Sequence, residues 1–413
     1  MRFKRCSIVP IFFTVFIDLL GLGIVVPILP AVLLDPIGGM LPLNYPYTIR
    51  MILYGTLTAA YPIAQFFGAP ILGTLADTKG RKKLLLASLI GTLCGYIIFV
   101  VGIIRGNIYL LFIGRLVDGF TGGNISIAQS AIADISDEKT KARNFGLIGM
   151  AFGLGFVIGP YLGGKLSDPN ILAWFDYTTP FFLSIMLTII NIILVVWSFP
   201  ETLNIRHQVR ISFLAGFKNI GKAFIYKELR TMFLVVFLLS IGHNFFTKFL
   251  QVFLMTKFNF TQSSIGDFYG YMGIWIAASQ GILLKPLIKR YKPHSILKVS
   301  VVMAAFSILF ILLPNKVIHL YMIIPFISML QGMNQPNTSA IISDLAGEEK
   351  QGEIFGINQS MQAMAQAIPP IIAGIITSIN IDLPIILSAV FIMLAWVVFV
   401  LYYPIVISRK VPA

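Results

Sequence analysis

Apolar residues dominate this chain in long runs that short polar segments separate. Twelve such runs can be traced, near residues 8–34, 50–75, 84–104, 108–134, 144–166, 177–199, 229–256, 265–287, 295–314, 317–342, 353–378 and 381–407. A helix of about 18 or more apolar residues crosses roughly 30 Å of hydrocarbon. A membrane β-barrel would instead show short alternating segments. The pattern therefore predicts an all-α integral membrane protein with twelve transmembrane helices and a lipid bilayer as its surroundings.

Composition and charge refine that prediction. Hydrophobic residues make up 57% of the chain and charged residues 12%, against about 25% charged in soluble domains. The net charge of +14 raises nucleic acid as an alternative partner. However, Lys and Arg concentrate at both termini and in alternate loops, and the opposite loops hold only Arg50, Arg105, Lys165, Lys257 and Lys316. Positive loops stay in the cytoplasm. We therefore expect both termini to be cytoplasmic, in a bacterial inner membrane, and no nucleic-acid partner.

A faint internal repeat divides the chain. Residues 130–146 and 339–356 both begin Ser-Ala-Ile and end Phe-Gly, with acidic and basic residues between. The repeat predicts two six-helix halves, residues 1–199 and 229–413, joined by a basic cytoplasmic linker at 200–228. A parallel repeat of this kind places a substrate site near the midplane, where the halves meet. The linker also carries apolar residues, which predicts a short helix on the membrane surface, serving as a tether or in regulation.

The segment between the second and third runs has a recognisable motif. Residues 73–83 read Gly-Thr-Leu-Ala-Asp-Thr-Lys-Gly-Arg-Lys-Lys. This resembles the signature loop of the major facilitator superfamily of secondary transporters, Gly-x-Leu-x-Asp-x-x-Gly-Arg-(Arg/Lys). The resemblance implies a conformational latch formed by Gly73, Asp77, Gly80 and Arg81 with Asp134 of the fourth span. Asp77 is expected to cap a helix start. Solvated charges that only fix the topology are the alternative.

Three further motifs narrow the resemblance. The first span carries Asp18 before a run of glycines and prolines, the fourth carries Gly114-Arg115, and the fifth reads Gly155-x-x-x-Gly159-Pro160-x-x-Gly163-Gly164. Together they are similar to the twelve-helix drug:proton antiporters, particularly the tetracycline efflux group. This implies a secondary active transporter that works by alternating access, with efflux of a small organic molecule coupled to proton entry. The glycine face of the fifth span would pack between the halves, or would serve ordinary helix packing.

Charges inside the spans are candidates for ion coupling because burying them is costly. Asp18 lies about 15 Å into the first span, and Arg115 and Asp118 are three residues apart on the fourth. These three are the candidate H⁺ (or Na⁺) couplers. Their alternatives are a structural helix contact for Asp18 and a fixed ion pair for the other two. Unlike the tetracycline exporters, the chain has no acid in the ninth span, which argues against tetracycline as the substrate.

Polar side chains inside the spans are candidates for substrate binding. They could instead bond to one another, and Lys248 could extend to the membrane surface. A basic seventh span also leaves open an importer of a carboxylated metabolite or iron chelate. The candidates are Gln65, Asn124, Gln129, His243, Asn244, Lys248, Gln331, Asn334, Asn358 and Gln362, with Tyr54, Tyr61, Tyr269 and Tyr271 as stacking surface. No enzyme motif, metal-ligand spacing or cofactor motif is visible. By resemblance a monomer is expected, and a receptor without transport activity is a remote alternative.

Overall fold

The computed structural model describes residues 9–35, 39–42, 44–135, 138–203, 214–226, 228–346 and 351–410, without the side chains of 129, 133, 138–149, 152, 351–353, 355 and 404–410. All regular elements in this part of the chain are helices. They are α1 (Val9–Leu34), α2 (Tyr47–Lys79), α3 (Arg81–Arg105), α4 (Ile108–Thr121), α5 (Asn124–Ile135), α6 (Glu138–Leu166), α7 (Thr179–Ser198), α8 (Ala215–Ile225), α9 (Arg230–Phe258), α10 (Gln262–Ala278), α11 (Leu284–Arg290), α12 (Pro293–Leu309), α13 (Val317–Ala346), α14 (Gln351–Ile376) and α15 (Leu383–Lys410). A π turn (Ser279–Leu283) joins α10 to α11, and a 3₁₀ turn (Phe310–Leu312) ends α12.

These helices supply the predicted spans. Within the described residues, nine stretches are helical, long and apolar enough to cross a membrane. The other three predicted spans correspond to α4 with α5, to α6 and to α14. The prediction of an all-α, twelve-helix membrane fold is therefore confirmed, and α8 is an additional short helix in the linker.

The chain forms two compact units. The first contains Met1–Pro46, Ala60–Ala215 and Thr261–Gly270, and the second contains Tyr47–Ala59, Gly216–Phe260 and Tyr271–Ala413. Helices α2 and α10 thus each contribute to both units. The predicted division into 1–199, a linker at 200–228, and 229–413 stays a prediction.

The same helix pairs recur in the two units. In the first, α1 packs against α5, α6 and α7, while α3 packs against α4 and α7. In the second, α9 packs against α13, α14 and α15, while α12 packs against α13 and α15. When α4 and α5 are counted together as the fourth span, each unit pairs its first span with its fourth, fifth and sixth, and its third span with its fourth and sixth. The faint repeat in the sequence is therefore matched by a repeat in packing.

Both ends of α2 extend beyond the predicted span of residues 50–75. Helix α2 continues to Lys79, so a single residue, Gly80, separates it from α3 where a longer loop was expected. Gly80 has φ of +111°, a conformation that residues with a Cβ rarely adopt. At the other end, Arg50 lies inside α2 and is only 4% exposed. Its assignment to a loop was wrong, because the helix begins earlier than the apolar run.

Candidate functional site

Asp18 lies in the interior of α1, beside a break in the fourth span. The side chain is 4% exposed, and the Nδ2 atom of Asn124 donates a hydrogen bond to its Oδ1 atom at 3.0 Å. Its second oxygen, Oδ2, has no hydrogen-bond partner among the described residues, and neither has Oδ1 of Asn124. A buried polar atom without a partner costs free energy, so the unpaired Oδ2 atom makes Asp18 a candidate for binding a proton or a cation.

The break in the fourth span explains how Asn124 reaches Asp18. Helix α4 ends at Thr121, and Gly122 and Gly123 form a turn before α5 begins at Asn124. The turn packs closely on α2, since a Cβ on Gly123 would lie 2.8 Å from the Cα atom of Ala69. The Gly122 carbonyl accepts a hydrogen bond from Gln65 Nε2 at 3.0 Å. The glycine pair therefore positions Gln65 and Asn124, two of the three predicted amides in the first unit.

Arg115 and Asp118 form the second part of this site. Their closest charged atoms, Nη1 and Oδ2, are 3.6 Å apart, and both residues are buried. The guanidinium Cζ lies 4.9 Å from the ring centroid of Tyr61, a distance at which a cation is attracted to an aromatic ring. Nε of Arg115 has no hydrogen-bond partner in the described part of the structure. The pair is therefore held loosely, with hydrogen-bonding capacity to spare.

The structure brings these predicted groups into one cluster. Asp18, Arg115 and Asp118 each act electrostatically on the hydroxyls of Tyr61 and Tyr96. The sequence analysis predicts Tyr61 only as stacking surface and does not identify Tyr96. The spacing of Tyr61 and Gln65, four residues apart on one helix face, was an available signal. We call these seven residues the acidic cluster: Asp18, Tyr61, Gln65, Tyr96, Arg115, Asp118 and Asn124.

The predicted polar residues of α9 lie in the second unit. The Tyr54 hydroxyl donates to the backbone oxygen of Lys248 at 2.6 Å, and Gln251 donates to both that oxygen and the Tyr54 hydroxyl. Asn244 donates to its own helix, to Ser240 O at 2.8 Å. The sequence missed Gln251, which is 2% exposed, although residues 244, 248 and 251 follow helical spacing.

His243 and the amides of α13 and α14 have differing surroundings. His243 interacts electrostatically with Lys248. Gln331 is buried, and neither polar atom of its amide has a partner among the side and main chains described. Asn334 instead accepts a hydrogen bond from Ser300 Oγ at 2.8 Å.

The predicted amides of α14 differ from each other. Asn358 has a buried side-chain oxygen without a partner in the described structure, and Gln362 is half-buried. The Gln129 side chain lies outside the described side chains.

The charged residues of the predicted latch are in contact in the first unit. Arg81 Nη1 lies 2.6 Å from Asp77 Oδ1, and Arg81 Nε lies 2.7 Å from Asp134 Oδ2. Asp77 does not cap a helix start as expected. It lies in the last turn of α2, while Gly80 is the N-cap of α3 and makes no side-chain bond. Gly73 makes only ordinary contact, since its Cβ would lie 3.7 Å from Ser126 Oγ.

Two residues after α7 complete this network, and the sequence missed both. Glu201 Oε1 accepts a hydrogen bond from the backbone N–H of Arg81 at 2.8 Å, which serves as the missing cap of α3. The Thr202 hydroxyl donates to Asp134 Oδ2 at 3.2 Å. A Cβ on Gly80 would meet the Glu201 carboxylate. Three separate segments therefore hold Arg81.

The glycine face of the fifth span packs differently from the expectation. Cβ atoms on Gly155, Gly159 and Gly163 would meet residues 19–24 of α1, within the same predicted half. Pro160 also packs on α1, where its Cδ lies 2.7 Å from the position of a Cβ on Gly23. The expected packing of this face between halves is thus wrong for these glycines. A Cβ on Gly164 would instead lie 3.0 Å from the Cα of Gly266 in α10, a residue of the predicted second half, so this glycine alone packs as expected.

Comparisons with known proteins extend over nearly the whole chain. The chain is 28% identical to the Tetracycline resistance protein, class H, of Pasteurella multocida, over 91% of this chain and 90% of that protein. It is 27% identical to the Quinolone resistance protein NorA of Staphylococcus aureus, over 95% of each. Each of these two relatives is a resistance protein by name, and the chain covers most of its length.

Solved structures show the same fold. The human organic anion transporter MFSD10 superposes with a TM-score of 0.73 at 20% identity, over 97% of this chain and 100% of that one. A peptide transporter POT in complex with sulfate gives 0.75 at 13% identity, over 97% and 94%. The model of the Major Facilitator Superfamily matches residues 11–368. The chain therefore belongs to the Major Facilitator Superfamily, and it is a multi-pass membrane transporter rather than an enzyme.

Proposed function

We propose that the protein exports a small organic molecule across a bacterial cytoplasmic membrane in exchange for protons, by alternating access. The observation that carries this proposal is the buried carboxyl of Asp18, with one oxygen bonded to Asn124 and the other unpaired. A proton or a bound cation on the unpaired oxygen would remove the cost of a buried negative charge. A carboxyl that binds and releases a proton in this way can couple the export of the organic molecule to the entry of protons.

The remaining acidic cluster supports the same role. Arg115 and Asp118 are close enough to interact with each other, yet at 3.6 Å they do not form a tight hydrogen-bonded pair. A loose pair can be rearranged at lower cost than a tight one. Efflux as the direction is supported by the resistance proteins to which the chain is similar. The distribution of Lys and Arg supports a cytoplasmic position for both termini, and we propose a monomer.

The buried amides of the second unit are proposed to bind the exported molecule. Gln331 and Asn358 have buried polar atoms that find no partner in the described structure. A ligand that offers hydrogen-bonding groups would satisfy them. Asn244 and Asn334 are weaker candidates, because their side chains already bond to protein groups.

The test is transport by purified protein in liposomes that contain a pH-sensitive dye. Tetracycline, a quinolone, a lipophilic cation and an organic anion are each supplied under a proton gradient. We expect proton movement that depends on one of these solutes, abolished by Asp18→Asn and retained in the control Asp168→Asn, which removes an acid from a loop. Solute movement without proton movement, equal in wild type and Asp18→Asn, would refute the proton coupling.

A second candidate function is uptake of an anionic metabolite. It is favoured by the neighbouring basic side chains His243 and Lys248 on α9. The same liposomes distinguish the two functions. Uptake predicts that an anion moves together with protons in one direction and that Lys248→Gln weakens its binding. Exchange predicts that solute and protons move in opposite directions.

A further inference from the structure

Helix α8 has an unusual exposed face. Leu214, just before the helix, and Phe217, Phe224 and Ile225 are 58%, 49%, 60% and 73% exposed. The buried positions Gly216 and Ala223 are seven residues apart and define the opposite face. A surface helix of a water-soluble domain normally exposes polar residues and buries apolar ones. Here the large apolar side chains point outward, which indicates a non-aqueous neighbour.

The exposed face is bordered by positive charge. Lys218 and Lys222 are four residues apart, so they lie on one side of α8, next to the apolar face. Both are exposed. Apolar side chains flanked by lysines are typical of helices that lie in the interface of a membrane. The lysines would then be at the depth of the lipid headgroups, where anionic lipids concentrate.

Two connections fix the position and roll of α8. Only four residues separate Ile225 from Arg230, where the membrane-spanning α9 begins, so the end of α8 is within about 18 Å of that span. The Asn219 side chain donates a hydrogen bond to Ser360 Oγ of α14 at 3.1 Å, within the second unit. This bond lies on the inward side of α8. The apolar face is therefore held facing away from the helices of that unit.

We propose that α8 is a docking surface for anionic phospholipid. Leu214, Phe217, Phe224 and Ile225 enter the boundary between headgroups and acyl chains, while Lys218 and Lys222 bind negatively charged headgroups. This goes beyond a tether, because it assigns a lipid class to a defined surface. It is also independent of the transported solute and of the coupling ion.

The experiment places a fluorescent label on the exposed face. In a cysteine-free background (Cys6→Ser, Cys94→Ser), Phe224→Cys is labelled with NBD, and the protein is reconstituted in phosphatidylcholine vesicles. Doxyl-labelled phosphatidylglycerol or doxyl-labelled phosphatidylcholine is added as quencher, and aqueous iodide is tested separately. We expect quenching from the lipid side, with a preference for phosphatidylglycerol of about fivefold for each lysine at low salt, falling as salt is added.

Variants then separate the outcomes. Lys218→Gln/Lys222→Gln should abolish the preference for phosphatidylglycerol and retain lipid quenching. The matched control is Lys285→Gln/Lys289→Gln, which removes two lysines that are also four residues apart but lie on α11. This control should keep the preference for phosphatidylglycerol. A label quenched only by iodide, or shielded from every quencher as at a protein contact, would overturn the proposal. An undiminished preference in Lys218→Gln/Lys222→Gln would also overturn it.

Discussion

Lys165 and Asp267 form an ion pair in which Nζ and Oδ2 are 2.8 Å apart, and Lys165 Nζ also donates to Ser263 Oγ at 3.0 Å. The pair joins the last turn of α6 to α10. Only residues Thr261–Gly270 of this region belong to the first unit, and from Tyr271 the chain belongs to the second. The ion pair therefore holds α10 just before that helix leaves the first unit.

We predict that the charges of this pair can be exchanged. Lys165→Glu should impair transport, because it puts two carboxylates in contact, and Lys165→Glu/Asp267→Lys should restore most of the loss. Neutralising either residue alone should cost less than about 1 kcal/mol of stability, since both side chains are partly exposed. Transport assays and thermal unfolding test this by comparing wild type with Lys165→Glu, the double variant and each neutralising variant. A double variant as impaired as Lys165→Glu would contradict it.

Close packing between α6 and α1 should make Gly163 intolerant of a side chain. A Cβ there would meet the Ile24 backbone oxygen and lie 2.9 Å from the Ile24 Cα. We expect Gly163→Ala to lose about 1–3 kcal/mol of stability through overpacking. Gly153→Ala on the same helix is the control, because beyond its chain neighbours and the nearby backbone of its own helix no described heavy atom lies within 4 Å of its Cβ position. Equal unfolding temperatures for both variants would refute this account.

The residues around Arg81 should differ in sensitivity. Asp134→Asn keeps the shape of the side chain but replaces the negatively charged carboxylate that accepts a hydrogen bond from Arg81 Nε. We expect it to lower the free energy of unfolding by about 1.5–3 kcal/mol. Glu201→Gln should have little effect, because an amide oxygen can still accept the Arg81 backbone N–H. Unfolding temperatures and transport rates compare the two. The prediction fails if Glu201→Gln is the more damaging substitution.

Acid should weaken the start of α7 through Asp176. Burial would raise the pKa of this carboxyl, but hydrogen bonds from the hydroxyls and backbone N–H groups of Thr178 and Thr179 outweigh it and lower the pKa. Its contribution to stability is therefore present above the unfolded pKa of about 3.9 and is lost as the pH falls through the lowered folded value. Asp176→Asn should lower the unfolding temperature at neutral pH and converge with wild type in acid. A constant difference across pH would contradict this.

Sequence and structure agree where a signal is local. Asp18 and Arg115 could be recognised because a charge inside an apolar run is visible in the chain itself. Asp134 could be paired with Arg81 only through a family resemblance. Glu201 could not be identified, since its role depends on α7 ending beside the start of α3, 120 residues earlier in the chain. Tyr96 likewise became part of the acidic cluster only through the packing of α3 on α4.

The break at Gly122–Gly123 has a consequence for biogenesis. Helices α4 and α5 contain 14 and 12 residues, so each is about 18–21 Å long and neither alone spans ~30 Å of hydrocarbon. The fourth span also carries Arg115 and Asp118, which weaken its own tendency to leave the translocon for lipid. We expect it to enter the bilayer as a hairpin with α3, whose Gly95 packs against Gly114 and Asp118. Membrane insertion of this segment would then depend on a neighbour that has already been made.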